Sequence, residues 1–111
     1  MHCFEQAVKH NPNKAIYWGF TGQTMHRFGW MPFDVLGYLE KAIELDPQNP
    51  RWKWNKGLVL TQLYRDLQQT DFLENALIVL EEARDLCRPE QGSLKTAIQN
   101  TLDNMDGYVF S

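Results

Sequence analysis

Residues 4–13, Phe-Glu-Gln-Ala-Val-Lys-His-Asn-Pro-Asn, return at 39–49 as Leu-Glu-Lys-Ala-Ile-Glu-Leu-Asp-Pro-Gln-Asn, an offset of 35 residues. A looser copy, Leu-Glu-Glu-Ala-Arg-Asp-Leu-Cys-Arg-Pro, occupies 80–89, where Ala83 stands 41 residues beyond Ala42 and Pro89 closes the segment. A period of this length belongs to stacked helix pairs. One such pair cannot bury its apolar face alone, so neighbours stack and leave an extended groove for a partner. The pattern therefore predicts an all-α chain, a solenoid of antiparallel helix pairs, with binding as its default function.

Between the proline breaks the apolar residues fall at helical spacing. Phe4, Ala7 and Val8 share one side of a short helix over 3–10, which Asn11-Pro12 stops. Asn13 is placed to cap the next helix, from about Lys14 to Phe28, with Trp18, Gly22 and Met25 on one stripe. Gly29 and Pro32 bracket a turn, and Pro32 suits the first turn of a helix running to about Leu45. In that helix Leu36, Leu39 and Ile43 form a face, with Val35, Tyr38 and Ala42 beside them.

Asp46-Pro47-Gln48-Asn49-Pro50 is a hard break that sets Asn49 as a cap and Pro50 at the start of the following helix. Its apolar set is Trp54, Leu58, Leu60, Leu63, Tyr64 and Leu67. The polar stretch 65–70 either extends this helix or forms a long turn. Asp71 and Glu74 have the spacing of a capping box, opening a helix that carries Phe72, Ala76, Val79, Leu80, Ala83 and Leu86. Ser93 is the cap expected for a final helix, where Leu94, Ala97, Ile98, Thr101, Leu102 and Met105 form a narrow stripe opposite polar residues. A one-sided helix of this kind covers the last apolar surface of a solenoid.

These residues resemble the tetratricopeptide repeat, a 34-residue unit with Trp, Gly and Tyr on its first helix, Ala and an aromatic on its second, and a closing Pro. Trp18, Gly22, Tyr38, Ala42 and Pro47 match one unit; Gly57, Ala76, Ala83 and Pro89 match a second; Phe4, Ala7 and Pro12 match the end of a unit lacking its first helix. The resemblance implies a right-handed solenoid of about two and a half repeats, forming a single domain over 1–111. Its parts are a partial repeat (1–12), a repeat (13–49), a repeat with an insertion (50–89) and a capping helix (93–106).

Small residues fit that geometry, because Gly22, Gly57, Ala42 and Ala83 let helices approach closely. Three departures stand beside the match. Gly57 and Ala83 are 26 residues apart where the family has 19, which places about seven extra residues near 65–71. Val35 sits where a small residue is usual, and Lys53 or Trp54 must stand in for the family Trp.

The resemblance also implies a ligand groove along the inner faces of the first helices, lined by Gln23, His26, Arg27, Arg51, Trp54, Leu58, Thr61 and Gln62. One peptide-clamping subclass holds a C-terminal carboxylate with Lys, Asn and Arg. Arg51 and Asn55 match parts of that set, but Gly19 and Gln23 stand in the first unit, so the chaperone clamp is not assigned.

Near the first turn His26, Arg27 and Trp30 are candidates to meet an acidic or aromatic ligand, although loop aromatics ordinarily pack under their loop. Arg51, Trp52, Lys53, Trp54 and Lys56 interleave cations with indoles, a pattern able to grip an acidic peptide or stack on bases. The plainer reading of that cluster is an amphipathic helix start, Trp inward and Lys outward.

The formal charge of -3 with interspersed signs gives nothing toward nucleic acid, and it weighs against an RNA-binding helical repeat of similar period. No apolar run approaches a membrane span, and the start lacks a leader pattern, so the expected setting is soluble and cytoplasmic. Cys3 and Cys87 are expected as free, buried or half-buried thiols. His2, Cys3 and His10 offer metal-ligand atoms, but no second pair follows to complete a site.

No phosphate loop, Gly-x-Ser-x-Gly turn or His-Glu-x-x-His motif occurs, and Glu81 with Glu82 reads as a solvated face, so neither catalysis nor a cofactor is expected. The function expected is a protein-interaction module or adaptor that takes a protein or peptide in its groove. The alternative is a small structural subunit or assembly factor that dimerises, or joins a larger complex, through an incomplete N-terminal edge at Phe4 and Val8.

Overall fold

Five α-helices account for nearly all of the computed structural model, which describes residues 15–109, the last four of them by backbone alone. They are α1 (Ala15–Arg27), α2 (Pro32–Leu45), α3 (Pro50–Leu67), α4 (Thr70–Leu86) and α5 (Gly92–Val109), with a single 3₁₀ turn, Pro89–Gln91, ahead of α5. No strand occurs among the described residues. The helix expected over 3–10 and the Asn13 cap lie outside them.

The contacts divide the chain into two units, one ending at Gln48 and one starting at Asn49. In the first, α1 packs on α2; in the second, α3 packs on α4 and α4 on α5.

The α1–α2 and α3–α4 pairs each close on a glycine. A Cβ built on Gly22 would come within 3.1 Å of Leu39 Cγ and 3.2 Å of Tyr38 Cβ. At Gly57 it would come within 2.5 Å of Leu80 Cδ2 and Cγ. Such contacts require small residues at the crossings, as the glycine and alanine spacing implied. In the second unit the chain reverses at Gln68 and Gln69, and both Gly57–Leu80 and the Lys53–Glu82 ion pair at 4.0 Å are symmetric about that point to within a residue. Therefore α3 and α4 run antiparallel.

The core follows a stripe slightly rotated from the expected one. On α2 the buried residues are Val35, Leu39 and Ala42, while Leu36 and Ile43 are half-buried at its flank. On α3 the buried indole is Trp52, at 2% exposure, with Val59, Leu60 and Leu63 following it at helical spacing. On α4 the stripe is Leu73, Ala76, Val79, Leu80 and Ala83, and on α5 it is Ile98, Leu102 and Met105.

The breaks follow local chemistry. Asn49 caps α3 as expected, its Oδ1 accepting from the Arg51 N–H at 3.0 Å, and Pro50 occupies the first turn. The extra residues near 65–71 do not make a long turn. They lengthen both helices, since α3 runs to Leu67 and α4 begins at Thr70. Gln68 makes the stop by adopting the left-handed conformation (φ 57°), with its N–H on Tyr64 O at 2.7 Å.

Two expected caps are not formed. Gln69 precedes α4 without a side-chain cap, so Asp71 sits inside the first turn, where its charge still suits the helix N-terminus. Ser93 lies within α5, whose entry is set instead by Gln91 Oε1 accepting from the Arg88 N–H at 2.9 Å.

Candidate functional site

The turn between α1 and α2 is apolar where turns are ordinarily polar. It reads Phe28-Gly29-Trp30-Met31-Pro32-Phe33, and its large side chains are exposed: Phe28 at 72%, Trp30 at 46%, Met31 at 66% and Phe33 at 56%. The expectation that loop aromatics pack beneath the turn is not met at Phe28 and Phe33, which stand more than half exposed.

Gly29 takes φ +77°, donating to His26 O at 3.2 Å, while the Trp30 N–H reaches back to Met25 O at 2.9 Å. This pair of bonds is the Schellman arrangement, which needs a residue in the left-handed region where glycine is least strained. Pro32 then restricts Met31 to extended backbone (φ -53°, ψ 122°) and starts α2 at once. A tight stop followed immediately by a proline start holds Trp30 in a fixed relation to both helices.

Behind this turn lies an open cleft of about 530 Å³. Aromatic rings of Trp18, Trp30, Phe33 and Tyr38 line it, with Met25 alongside. Trp18 and Tyr38 pack with centroids 5.6 Å apart and planes tilted 45°. Gly37 also lines the cleft, and a Cβ built there would meet nothing within 4 Å, so one wall carries no side chain.

Asp34 is the only charged lining residue among the described residues. Its carboxylate makes no ion pair or hydrogen bond among the described residues. The size and the mostly apolar lining with one polar group are those of a ligand site.

The groove residues fall in two places. On α1, Gln23 is half-buried, and its Oε1 is buried with no hydrogen-bond partner among the described residues. His26 is half-buried and Arg27 exposed in the last turn of α1, where cations also complement the helix dipole.

On α3, Arg51 is exposed in the first turn, while Trp54, Leu58, Thr61 and Gln62 are half-buried. Here α5 takes up part of the stripe. Trp54 Nε1 donates to Thr101 Oγ1 at 3.4 Å, and Thr61 Oγ1 lies 3.7 Å from Met105 Sδ while donating to Gly57 O at 2.8 Å. Asn55 is buried and donates to Arg51 O at 3.0 Å, so its amide serves its own helix. Phe4 and Val8 lie outside the described residues.

The cation and indole cluster at the start of α3 follows the plainer reading at Trp52, which is buried, but not at Lys53, which is half-buried and pairs with Glu82 on α4. Sequence reasoning singled out Trp30 but not Phe33, Asp34 and Gly37. The available signal was four large apolar residues crowded around Gly29 and Pro32.

Cys87 is free and half-buried, its Sγ 3.4 Å from Ala83 O. Burial pushes its thiol up from the ordinary value, and nearby Lys95 partly offsets this. No group of His, Cys, Asp and Glu able to hold a metal occurs among the described residues, and no helix there is long and apolar enough to cross a membrane. Compared with protein-family models and with curated proteins, the chain matches none.

Proposed function

We propose that the protein is a non-catalytic binding module of the tetratricopeptide-repeat kind, a right-handed solenoid that docks a segment of a partner protein. The observation that carries this reading is the apolar turn: Phe28, Trp30, Met31 and Phe33 stand exposed together beside an aromatic cleft. Exposed contiguous apolar surface on a fixed scaffold marks interaction sites, and Trp with Tyr is the composition of binding hot spots. The 35-residue repeat and the glycine crossings support the repeat architecture. The main contact then lies at the α1–α2 turn, with Gln23, His26 and Arg27 on the same helix pair as secondary contacts.

The test is selection of peptides from a random displayed library on the immobilised protein and on a Trp30→Ser variant of matched thermal stability. Peptides enriched on the wild type and lost on the variant are expected. Absence of enrichment, or equal enrichment on both, overturns the reading. A concentration-stable dimer that Trp30→Ser splits, seen by light scattering, assigns the patch to self-association instead.

A further inference from the structure

We propose that the cleft between α1 and α2 is a cation site, and that the side chain it takes from the bound segment is an arginine. This deepens the binding-module reading and rests on it.

Aromatic faces are attractive to a cation through their quadrupole, most strongly for indole, and the cleft offers Trp18 and Trp30 with Tyr38 and Phe33. The Asp34 carboxylate at the cleft attracts a cationic ligand and repels an anionic one. Asp34 stands in the first turn of α2, where a helix N-terminus favours negative charge, so it tolerates having no cationic partner of its own. No lysine, arginine or histidine among the described residues pairs with it.

Charge complementarity therefore names the occupant's sign, and the flat rings name its shape. A planar guanidinium stacks on indole and forks onto a carboxylate, which a compact ammonium does less well. The missing side chain at Gly37 leaves space for the stem to enter, and the cleft volume of about 530 Å³ accommodates an arginine side chain with room for an adjoining residue. Phe28 and Met31, exposed outside the cleft, provide apolar contacts for neighbours of that arginine. The net charge of -3 favours approach of a basic segment.

The experiment is a titration of ¹⁵N-labelled protein with Nα-acetyl-arginine methylamide, followed by the indole N–H resonances and compared with the isosteric, uncharged citrulline derivative. Saturable shifts at the Trp18 and Trp30 indoles are expected, with the citrulline compound at least about fivefold weaker. Asp34→Asn should reduce the arginine compound toward the citrulline value, and Gly37→Leu, which fills the cleft from an open position, should abolish both.

Equal affinity for the two compounds, indifference to Asp34→Asn, or no shift with either compound overturns the cation site. In each of those cases the peptide selection on wild type and Trp30→Ser still decides the module reading separately. Both proposals fall only if that selection also returns nothing or enriches the two proteins equally.

Discussion

Replacing Gly57 by alanine tests the closest helix contact in the molecule. The added Cβ would stand 2.5 Å from both Cδ2 and Cγ of Leu80, and Leu80 is fully buried. Carbon atoms pack at about 3.5–4.0 Å, so roughly an ångström must be found by moving a core side chain or separating α3 from α4. Overpacking of this kind costs about 1–3 kcal/mol. Against it, alanine gains about 1 kcal/mol over glycine in a helix interior. The net expectation is a destabilisation of about 1 kcal/mol, or about 4–8 °C in Tm for a small domain.

Gly37→Ala isolates the steric part, because it receives the same propensity gain with nothing within 4 Å of its Cβ, and it should stabilise by about 0.5–1 kcal/mol. Gly22→Ala, with contacts of 3.1–3.2 Å to Leu39 and Tyr38, should fall between them. The assay is urea unfolding of each variant followed by circular dichroism. The decisive arm is the Leu80→Ala background, itself costing about 2–5 kcal/mol, in which Gly57→Ala should become neutral or stabilising as the clash disappears. If Gly57→Ala is as stable as Gly37→Ala, or shows no coupling to Leu80, α3 and α4 do not approach this closely at Gly57.

Trp54→Ala should cost about 2 kcal/mol in urea unfolding through lost packing against α5, whereas Trp54→Phe should cost only about 1 kcal/mol, the net worth of one hydrogen bond to Thr101. A freely replaceable groove residue would show neither loss. At Cys87 the raised thiol pKa makes alkylation at pH 8 slower than for an unburied cysteine, read by peptide mass mapping that separates it from Cys3. The linked stability is fully present below the unfolded thiol value of about 8.5 and is lost as pH climbs through the higher folded value, so Cys87→Ala should flatten that alkaline decline.

Much of the local structure was legible because it depends on near neighbours. Pro32, Asn49 and Pro50 marked helix starts, since a missing N–H and a capping oxygen act within one turn. The caps assigned to Asp71 and Ser93 failed for a matching reason. A cap residue competes with its neighbours for the helix start, and Thr70 and Gly92 were already helical. The candidate site was legible only at Trp30, since Phe33, Asp34 and Gly37 join it through the packing of α2 on α1.

The sequence by itself determined an all-helical chain, its breaks, and the need for small residues at Gly22 and Gly57, because periodicity and backbone chemistry are local properties. Only the tertiary structure decided which indole of Trp52 and Trp54 is buried, that Trp54 and Thr61 meet α5, and that the turn aromatics stand outward around one carboxylate. Those outcomes depend on the rotation of each helix about its axis. Burial against a partner helix fixes that angle, and a repeat pattern leaves it open by about one residue, or roughly 100°.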